Sequence, residues 1–343
     1  MIVFILIFFL LILILFIGIV FNMTSNQVKY PIILVACNNT TDRELCKALR
    51  YTQKEEPRLM HGANLVSFEP GSAVNALQTA YNQGHKVIIT MFTSTELQQS
   101  FDFMRSHPDI QQINLYSTAY FNNKPQNILR FQVSDNTMIK YLTKIIPKNT
   151  IVYYDKDEVW AQGIASLLSP MGYRITTDSS SLSQNTPILI TAVTKTQDFI
   201  RLVPNSCPKL YGMDGSIFFP FSDPDIASKA ARMKFECIQY EPTVTAPIVE
   251  QIRLKSETNS RYQLANTFDA IRYFTYRQMG MSDKQIQEEN TGFTGSLEMN
   301  DSNDRKYGNF ALYTYTLSNI WKKTGKFLVD PDGSCLITPQ KPT

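Results

Sequence analysis

The sequence predicts an α/β protein whose strands form mostly parallel sheets in two lobes. From Lys29 onward, short apolar runs rich in β-branched residues alternate with segments whose apolar residues follow helical spacing. Helices of about 10–15 residues between successive strands favour right-handed crossovers and a parallel sheet covered on both faces. About 320 residues follow an apolar N-terminal segment, more than a single hydrophobic core usually organises, so two lobes are expected.

The first lobe is predicted to alternate four strands with three helices. The first helix begins at a Thr/Asp pair and places Leu45 and Leu49 on one face. The second has a serine cap and a terminating glycine, and the third opens with a capping box at Thr93 or Ser94, answered by an acidic or amide residue. In chain order the segments are "YPIILVAC", "TTDRELCKALRYTQKEE", "ANLVSFEP", "SAVNALQTAYNQG", "HKVIITMF", "TSTELQQSFDFMRSHPDI" and "IQQINLYST".

A second series of strands and helices follows without an obvious linker, which predicts that the lobes share crossovers instead of hanging on one tether. Its strands are "NTIVYYD", "YRITTD", "TPILITAV", "KLYGMDG" and "FECIQYEP", and its helices are "NTMIKYLTKII", "VWAQGIASLLSPMG", "TQDFIRLVP" and "IASKAARMK". A long amphipathic helix, "RYQLANTFDAIRYFTYRQMG", and an aromatic hairpin then follow. The expected boundaries are 30–127 for the first part of lobe 1, 128–245 for lobe 2, 246–290 for the return to lobe 1, 291–330 for the closing hairpin and strands, and 331–343 for a tail.

Residues Met1–Phe21 form an unbroken apolar run without a charged side chain. At about 1.5 Å per residue, a helix of this length crosses a hydrocarbon core of roughly 30 Å. A cleaved signal peptide is the alternative, although a basic start, a shorter apolar stretch and an A-x-A-like exit are all missing. We expect a single transmembrane anchor, with the main domain extracellular, lumenal or on a virion or cell surface.

Cysteines and glycosylation sequons bear on the compartment. The five cysteines, Cys37, Cys46, Cys207, Cys237 and Cys335, are too few for a disulfide scaffold and have no zinc-site spacing. The cysteine pattern is compatible with buried free thiols and also with one or two disulfide bridges. The first candidate pair is Cys207 with Cys237, whose segments are expected to be neighbouring strands, and the second is Cys37 with Cys46. Sequons occur at Asn22, Asn38, Asn39 and Asn300.

Composition and motifs argue against two broad classes of function. A net charge of +3 is too small for the footprint of a nucleic-acid-binding protein. The chain has no G-x-S-x-G elbow, H-E-x-x-H helix, P-loop or G-x-G-x-x-G turn, and its 3 histidines form no recognisable constellation. We therefore expect neither an enzyme nor a cofactor.

The order of the segments resembles the type I periplasmic-binding-protein family, the extracellular ligand-binding region of branched-chain amino-acid binding proteins and several receptors. In that family a helix with a "yDAv" core precedes a "G-x-tG-x-i-x-F-d-x-n-G-d-r" hairpin, as "NTFDAIRYF" precedes "TGFTGSLEMNDSNDRKYGNFALYTYTL" here. "ILRFQVSD" is similar to "yfRt-x-psD", and "VYYDKDEVWAQGI" to "viyDddaYGrgl", with Trp160 in place of the tyrosine. The resemblance covers most of Tyr30 to Phe327 and implies two doubly wound parallel sheets that close over a solute.

Polar residues at the ends of strands form the candidate ligand site. In open α/β sheets, ligands bind beyond the carboxyl ends of the strands, where helix N-termini offer N–H groups. Two strand ends of the first lobe carry hydroxyl groups, and three residues of the second lobe are expected to face them. The candidates are Thr93, Ser94, Thr95, Tyr116, Ser117, Thr118, Trp160, Tyr211 and Asp214. The competing interpretations are helix capping for Thr93 to Thr95 and core packing for Trp160.

The leading hypothesis is a membrane-anchored binding module whose lobes close over a small polar solute. An amino-acid ligand is disfavoured, because the family's acidic partner for the ligand amine corresponds to a stretch with Arg232 and Lys234. A Gly-Pro that the family carries after the third strand is also missing. The alternative hypothesis is a scaffold that has lost its ligand and serves as a surface or envelope attachment glycoprotein. A homodimer is left open.

Overall fold

The fold is described from a computed structural model, which covers residues 30–36, 40–69, 71–213, 221–240, 246–257, 261–289, 291–306, 308–316, 318, 320–329 and 335–339. Residues Pro31–Thr343 form one compact unit that contains both sheets. No helix among these described residues is long and apolar enough to cross a bilayer. The predicted anchor, Met1–Phe21, lies outside them and stays a prediction.

The first lobe is built on a six-stranded parallel sheet in the order β13-β5-β4-β3-β1-β2. Strand β1 is apolar on both faces: Ile33 and Val35 enter one hydrophobic core, and Ile32 and Leu34 enter the other. Such a strand suits a parallel sheet that is covered by helices on both sides. The strands are β1 Ile32–Val35, β2 Asn64–Ser67, β3 Val87–Thr90, β4 Gln111–Asn114, β5 Ile128–Val133 and β13 Asp304–Arg305. The helices of this lobe are α1 Thr40–Glu55, α2 Pro57–Met60, α3 Ala73–Asn82, α4 Ser94–Gln99, α5 Phe101–Ser106, α10 Pro247–Lys255, α11 Arg261–Gln278 and α12 Asp283–Glu289.

The second lobe is built on an eight-stranded sheet in the order β16-β15-β14-β10-β9-β8-β6-β7. Its strands β6 to β10 are parallel, whereas β14, β15 and β16 pair antiparallel. The sheet is therefore mixed. Strands β6 to β10 follow the expected parallel arrangement, whereas β14 runs opposite to β10 and begins an antiparallel part that two doubly wound parallel sheets do not include. The strands are β6 Ile151–Tyr154, β7 Arg174–Thr176, β8 Ile188–Thr191, β9 Leu210–Gly212, β10 Glu236–Tyr240, β14 Asn309–Tyr315, β15 Trp321–Val329 and β16 Cys335–Pro339. The helices are α6 Asp135–Ile145, α7 Val159–Leu168, α8 Thr196–Leu202 and α9 Pro224–Arg232, with short 3₁₀ turns at Ser169–Met171 and Ser179–Ser181.

The chain passes between the two sheets three times: after β5, after β10 and after β13. Strand β5 pairs with β4 in the first sheet, so the first passage lies near Ser134 and not at the expected boundary of 128. The three passages meet at Gly308. A Cβ placed there would lie 2.5 Å from Val133 at the end of β5 and would overlap the Tyr240 ring at the end of β10. A side chain at position 308 would therefore separate the crossing segments.

A buried carboxylate holds the short hairpin between β11 Thr291–Gly292 and β12 Gly295–Ser296. Asp269 of helix α11 is fully buried and accepts hydrogen bonds from the Phe293 amide at 2.6 Å, the Thr294 amide at 3.0 Å and the Thr294 hydroxyl at 2.5 Å. Gly292 lies directly on this carboxylate, where a Cβ would come within 2.5 Å of its oxygens. Arg305 donates to the Thr294 hydroxyl at 2.5 Å and to the Ser296 carbonyl at 2.7 Å. These contacts explain why the helix that carries Asp269 is followed by a hairpin with glycines at positions 292 and 295.

A second buried ionic cluster joins β5 to β13. Arg130 makes a bidentate ion pair with Asp304, at 2.7 Å from Nε and 2.6 Å from Nη2, and also donates to the Ala119 carbonyl. The Lys124 ammonium lies 3.4 Å from Asp304 and donates to the Ile128 carbonyl at 2.6 Å. Burial lowers the pKa of Lys124 to about 8. The cluster fastens the edge strand of the first sheet at the third passage between the lobes.

The predicted Cys207–Cys237 bridge is not formed, and both residues are buried thiols. The Cys207 sulfur points into its own turn and donates to the Lys209 carbonyl at 3.2 Å, whereas the Cys237 sulfur packs on Gly212 of the neighbouring strand. Cys46 is buried and disulfide-bonded. Its candidate partner Cys37 lies outside the described residues, so that pairing stays a prediction.

Of the four sequons, only Asn300 lies among the described residues; Asn22, Asn38 and Asn39 do not. Asn300 is half-buried, and its side-chain oxygen accepts from the amides of Ser302 at 2.9 Å and Asp304 at 3.0 Å. This oxygen therefore shapes the turn before β13. Glycosylation at all four positions stays a prediction.

Candidate functional site

Two strand ends of the first lobe meet at the predicted site. Ser94, the first residue of α4, and Ser117, which follows β4, place their hydroxyl oxygens 3.0 Å apart. Ser117 is buried and Ser94 is half-buried, so this hydroxyl pair lies just below the surface. Thr118 is also buried, and its carbonyl accepts from the Asp135 amide at 2.9 Å, at the start of the first passage into lobe 2.

The three residues Thr93 to Thr95 do not act alike. Thr93 is the N-cap of α4, and its hydroxyl and amide both donate to the Glu96 carboxylate, at 3.0 and 2.9 Å. This reciprocal capping box is the competing interpretation from the sequence, and it occupies the Thr93 hydroxyl. Thr95 is exposed on the helix surface. Of the three, Ser94 is the residue that reaches the second strand end.

Asn114, at the last position of β4, organises the loop that carries Tyr116 and Ser117. Its side-chain oxygen accepts from the Ser117 amide at 2.8 Å and from the Tyr116 amide at 3.2 Å. Its side-chain nitrogen donates to the Phe92 carbonyl at 3.1 Å. The sequence analysis missed this residue, although an asparagine just before a turn is a recognisable signal. The consequence is that these two amides are already bonded within the protein.

The facing loops of the second lobe also bond one another. Glu158, which precedes α7, accepts from the Val193 amide at 2.9 Å and from the amide and hydroxyl of Thr194 at 3.1 and 2.8 Å. Lys195 pairs with the buried Asp155 at 2.8 Å and with Asp157 at 3.3 Å. The hydrogen bond with Asp155 raises the pKa of Lys195, so this ammonium stays charged. These contacts join the loop that follows β6 to the loop that follows β8.

The second-lobe candidates lie deeper than predicted. Trp160 is 7% exposed and packs within the hydrophobic core that β6, α6 and α7 share. Tyr211 is 8% exposed in the same core, and burial raises the pKa of its hydroxyl. Packing accounts for both positions, and their ligand-binding role stays a prediction. Asp214 lies outside the described residues.

The two lobes touch beside the hydroxyl pair. Helix α4 of the first lobe contacts helix α7 of the second. Gly163 of α7 faces the backbone of Tyr120, to which an added Cβ would lie at 3.5 Å. This approach places Ser94 and Ser117 next to the boundary between the lobes. In the described part of the chain, no group of three or more His, Cys, Asp or Glu side chains is arranged to hold a metal ion. The hydroxyl pair offers hydrogen-bond donors and acceptors.

Comparison of the sequence with protein-family models and with curated proteins finds no match. Comparison with solved structures finds ligand-binding proteins among its matches. The leucine-binding protein LivK from Thermotoga maritima superposes with a TM-score of 0.65 at 15% identity, over 89% of this chain and 99% of LivK. A leucine-, isoleucine-, valine-, threonine- and alanine-binding protein from Brucella ovis, in its closed conformation, gives 0.63 at 10% identity, over 90% and 97% of the two chains.

An extracellular ligand-binding receptor from Desulfohalobium retbaense gives a TM-score of 0.62 at 12% identity. The match covers 84% of this chain but only 58% of the receptor. Together the three superpositions show that the chain has the type I periplasmic-binding-protein fold, as the order of its segments predicts.

Proposed function

We propose that the protein binds a small polar solute between its two lobes and has no enzymatic activity. The observation that carries the proposal is the hydroxyl pair of Ser94 and Ser117, 3.0 Å apart, from two neighbouring strand ends beside the contact between α4 and α7. Paired hydroxyls both donate and accept hydrogen bonds, which suits a polar, uncharged or carboxylate group. Related structures carry the names of proteins that bind leucine and other amino acids.

The convergence of three crossing segments at Gly308 supports a hinge at the base of the two lobes. Lobes joined by short segments at one edge can open and close as rigid bodies, and a ligand that contacts both lobes shifts the balance toward closure. The disulfide at Cys46 supports an oxidising compartment for this domain. With the anchor predicted at Met1–Phe21, we place the domain outside the cytoplasm on a membrane surface.

A thermal-shift screen of the full-length protein against amino acids, sugars and nucleosides tests the proposal. A solute at 100 times its Kd should raise the free energy of unfolding by about 2.7 kcal/mol. Ser94→Ala and Ser117→Ala should each weaken the shift, because an unpaired hydrogen bond costs about 1–3 kcal/mol. Ser166→Ala is the matched control, since this serine of α7 is exposed and its hydroxyl donates within its own helix, to the Gln162 carbonyl.

Trp160→Ala separates packing from binding. As a core residue it should destabilise the unliganded protein by about 3–5 kcal/mol. If no solute in the screen changes the melting of the wild-type protein, the proposal fails and the fold serves as a scaffold without a ligand.

A further inference from the structure

A separate pocket of about 240 Å³ lies on the first lobe, between the end of α2, helix α11 and the hairpin that Asp269 holds. Its walls are Leu59, His61, Arg272, Thr275, Tyr276 and Phe293. The apolar members pack with their inner sides against the hydrophobic core of the lobe, which keeps the walls in place. None of these residues belongs to the strand ends that form the candidate solute site.

Arg272 contacts two aromatic rings in this pocket. Its guanidinium carbon lies 5.1 Å from the centre of the Phe293 ring and 5.7 Å from that of Tyr276. One terminal nitrogen donates to the Tyr276 hydroxyl at 3.0 Å. One of the five guanidinium N–H donors is used in this bond, and a guanidinium can offer its other N–H groups in pairs to the two oxygens of a carboxylate.

Among the described residues, the positive charge in this pocket has no ion-pair partner. No lining residue is acidic, and within the described part of the chain Arg272 makes no ion pair. Arg277, on the same helix, differs in this respect because its side chain forms an ion pair with Asp283 at 3.3 Å. Arg272 is also half-buried, so partial exclusion of water strengthens its attraction for an anion compared with a freely solvated arginine.

From these contacts we propose that the pocket binds the carboxylate of a molecule whose apolar part is a single ring or a short branched chain. Arg272 receives the carboxylate, and Leu59, Tyr276 and Phe293 enclose the apolar part. The volume is below the roughly 300–1,000 Å³ of pockets for drug-sized ligands, which limits the occupant to this size. Such a group is offered both by a small aromatic acid and by the carboxyl terminus of a peptide that ends in an aromatic residue.

Fluorine NMR of para-fluorobenzoate with the full-length protein tests the proposal. The acid should bind, and para-fluorobenzamide, which has the same shape without the charge, should bind at least about tenfold more weakly. Arg272→Gln should raise the Kd of the acid roughly tenfold or more, and Arg272→Lys, which keeps the charge but loses the fork, should raise it by a smaller factor. Arg277→Gln, on the same helix but outside the pocket, should leave the Kd unchanged.

A competition experiment identifies the kind of molecule that supplies the carboxylate. The tripeptide Gly-Gly-Phe with a free carboxyl terminus competes with fluorobenzoate if a peptide end fits, and its amidated form should not compete. Displacement by the free peptide assigns the pocket to peptide termini, and binding of the small acid alone assigns it to a free aromatic acid. The proposal is overturned if neither probe binds at millimolar concentration, or if Arg272→Gln binds fluorobenzoate as tightly as the wild-type protein does.

Discussion

Replacing Asp269 with alanine should detach the hairpin from helix α11. The change removes the acceptor of three hydrogen bonds and leaves the Phe293 amide, the Thr294 amide and the Thr294 hydroxyl without this partner. It also removes a carboxyl group that interacts with the charge of Arg305: burial raises the pKa of Asp269, and the positive charge of Arg305 opposes this rise. Each stranded donor costs about 1–3 kcal/mol, and breaking a buried ionic network costs about 3–5 kcal/mol. We expect a loss near 3–5 kcal/mol.

Asp269→Asn is the sharper variant, because it keeps the shape of the side chain. One oxygen still accepts, but the amide nitrogen now faces a donor, so we expect a loss of about 2 kcal/mol. Asp102→Asn is the control: its side chain is 95% exposed, and its pair with Arg105 should contribute no more than about 1 kcal/mol. Thermal melting measures the overall loss.

Hydrogen exchange measures the local effect of the Asp269 variants. The Phe293 and Thr294 amides should exchange much faster in Asp269→Ala, while amides of β1 in the core of the same lobe change only as far as global stability does. The reasoning is refuted if both hairpin amides keep their protection and the variant melts within about 1 kcal/mol of the wild-type protein.

Three further predictions address the hinge, the buried ionic cluster and the cysteines. Gly308→Ala should destabilise the protein by about 1–3 kcal/mol through overpacking, measured by thermal melting, whereas Gly325→Ala, where a Cβ meets its nearest neighbour at 3.7 Å, should be nearly neutral. The pKa of Lys124 is about 8 in the fold and 10.5 in the free side chain, so the unfolded chain binds more protons between these values. The free energy of unfolding of the wild-type protein should therefore rise by about 3 kcal/mol from pH 8 to 10.5 relative to Lys124→Met, and equal pH profiles from urea titrations would contradict this. Cys207 and Cys237 should resist iodoacetamide in the folded protein and react after denaturation; mass spectrometry showing a bridge between them would be the contrary result.

Much of the fold could be predicted because buried parallel strands appear in the sequence as continuous apolar runs. Strand β1 is one example, since both of its faces enter a core. The pairing partners of the strands are harder to predict, because they depend on residues that are far apart in the sequence. The strand Ile128–Val133 was expected in the second lobe, but it lies in the first sheet, where Arg130 pairs with Asp304 across 174 residues. No pattern in the sequence around Arg130 predicts such a distant ion pair.

The candidate site was predictable only in part. The capping role of Thr93 follows from a serine- or threonine-x-x-glutamate pattern, and it was stated as the alternative to ligand binding. The roles of Asn114 and Glu158 were missed. Glu158 bonds a loop 35 residues further along the chain, so its function depends on the fold and not on its neighbours. The depth of Trp160 likewise depends on how α7 packs on the second sheet.

The three passages between the sheets impose an order on synthesis. Residues of the second lobe are inserted between β5 and helix α10 of the first. Strand β13, which completes the first sheet, and strands β14 to β16, which complete the second, come after both lobes have begun. The first sheet lacks its outer strand, and Arg130 lacks its partner Asp304, until residues 304–305 have been synthesised. Loop closure over such separations is slow. Both sheets therefore keep an unpaired edge until β13 and the strands after it have been made, and a truncation before Asp304 would leave neither sheet complete.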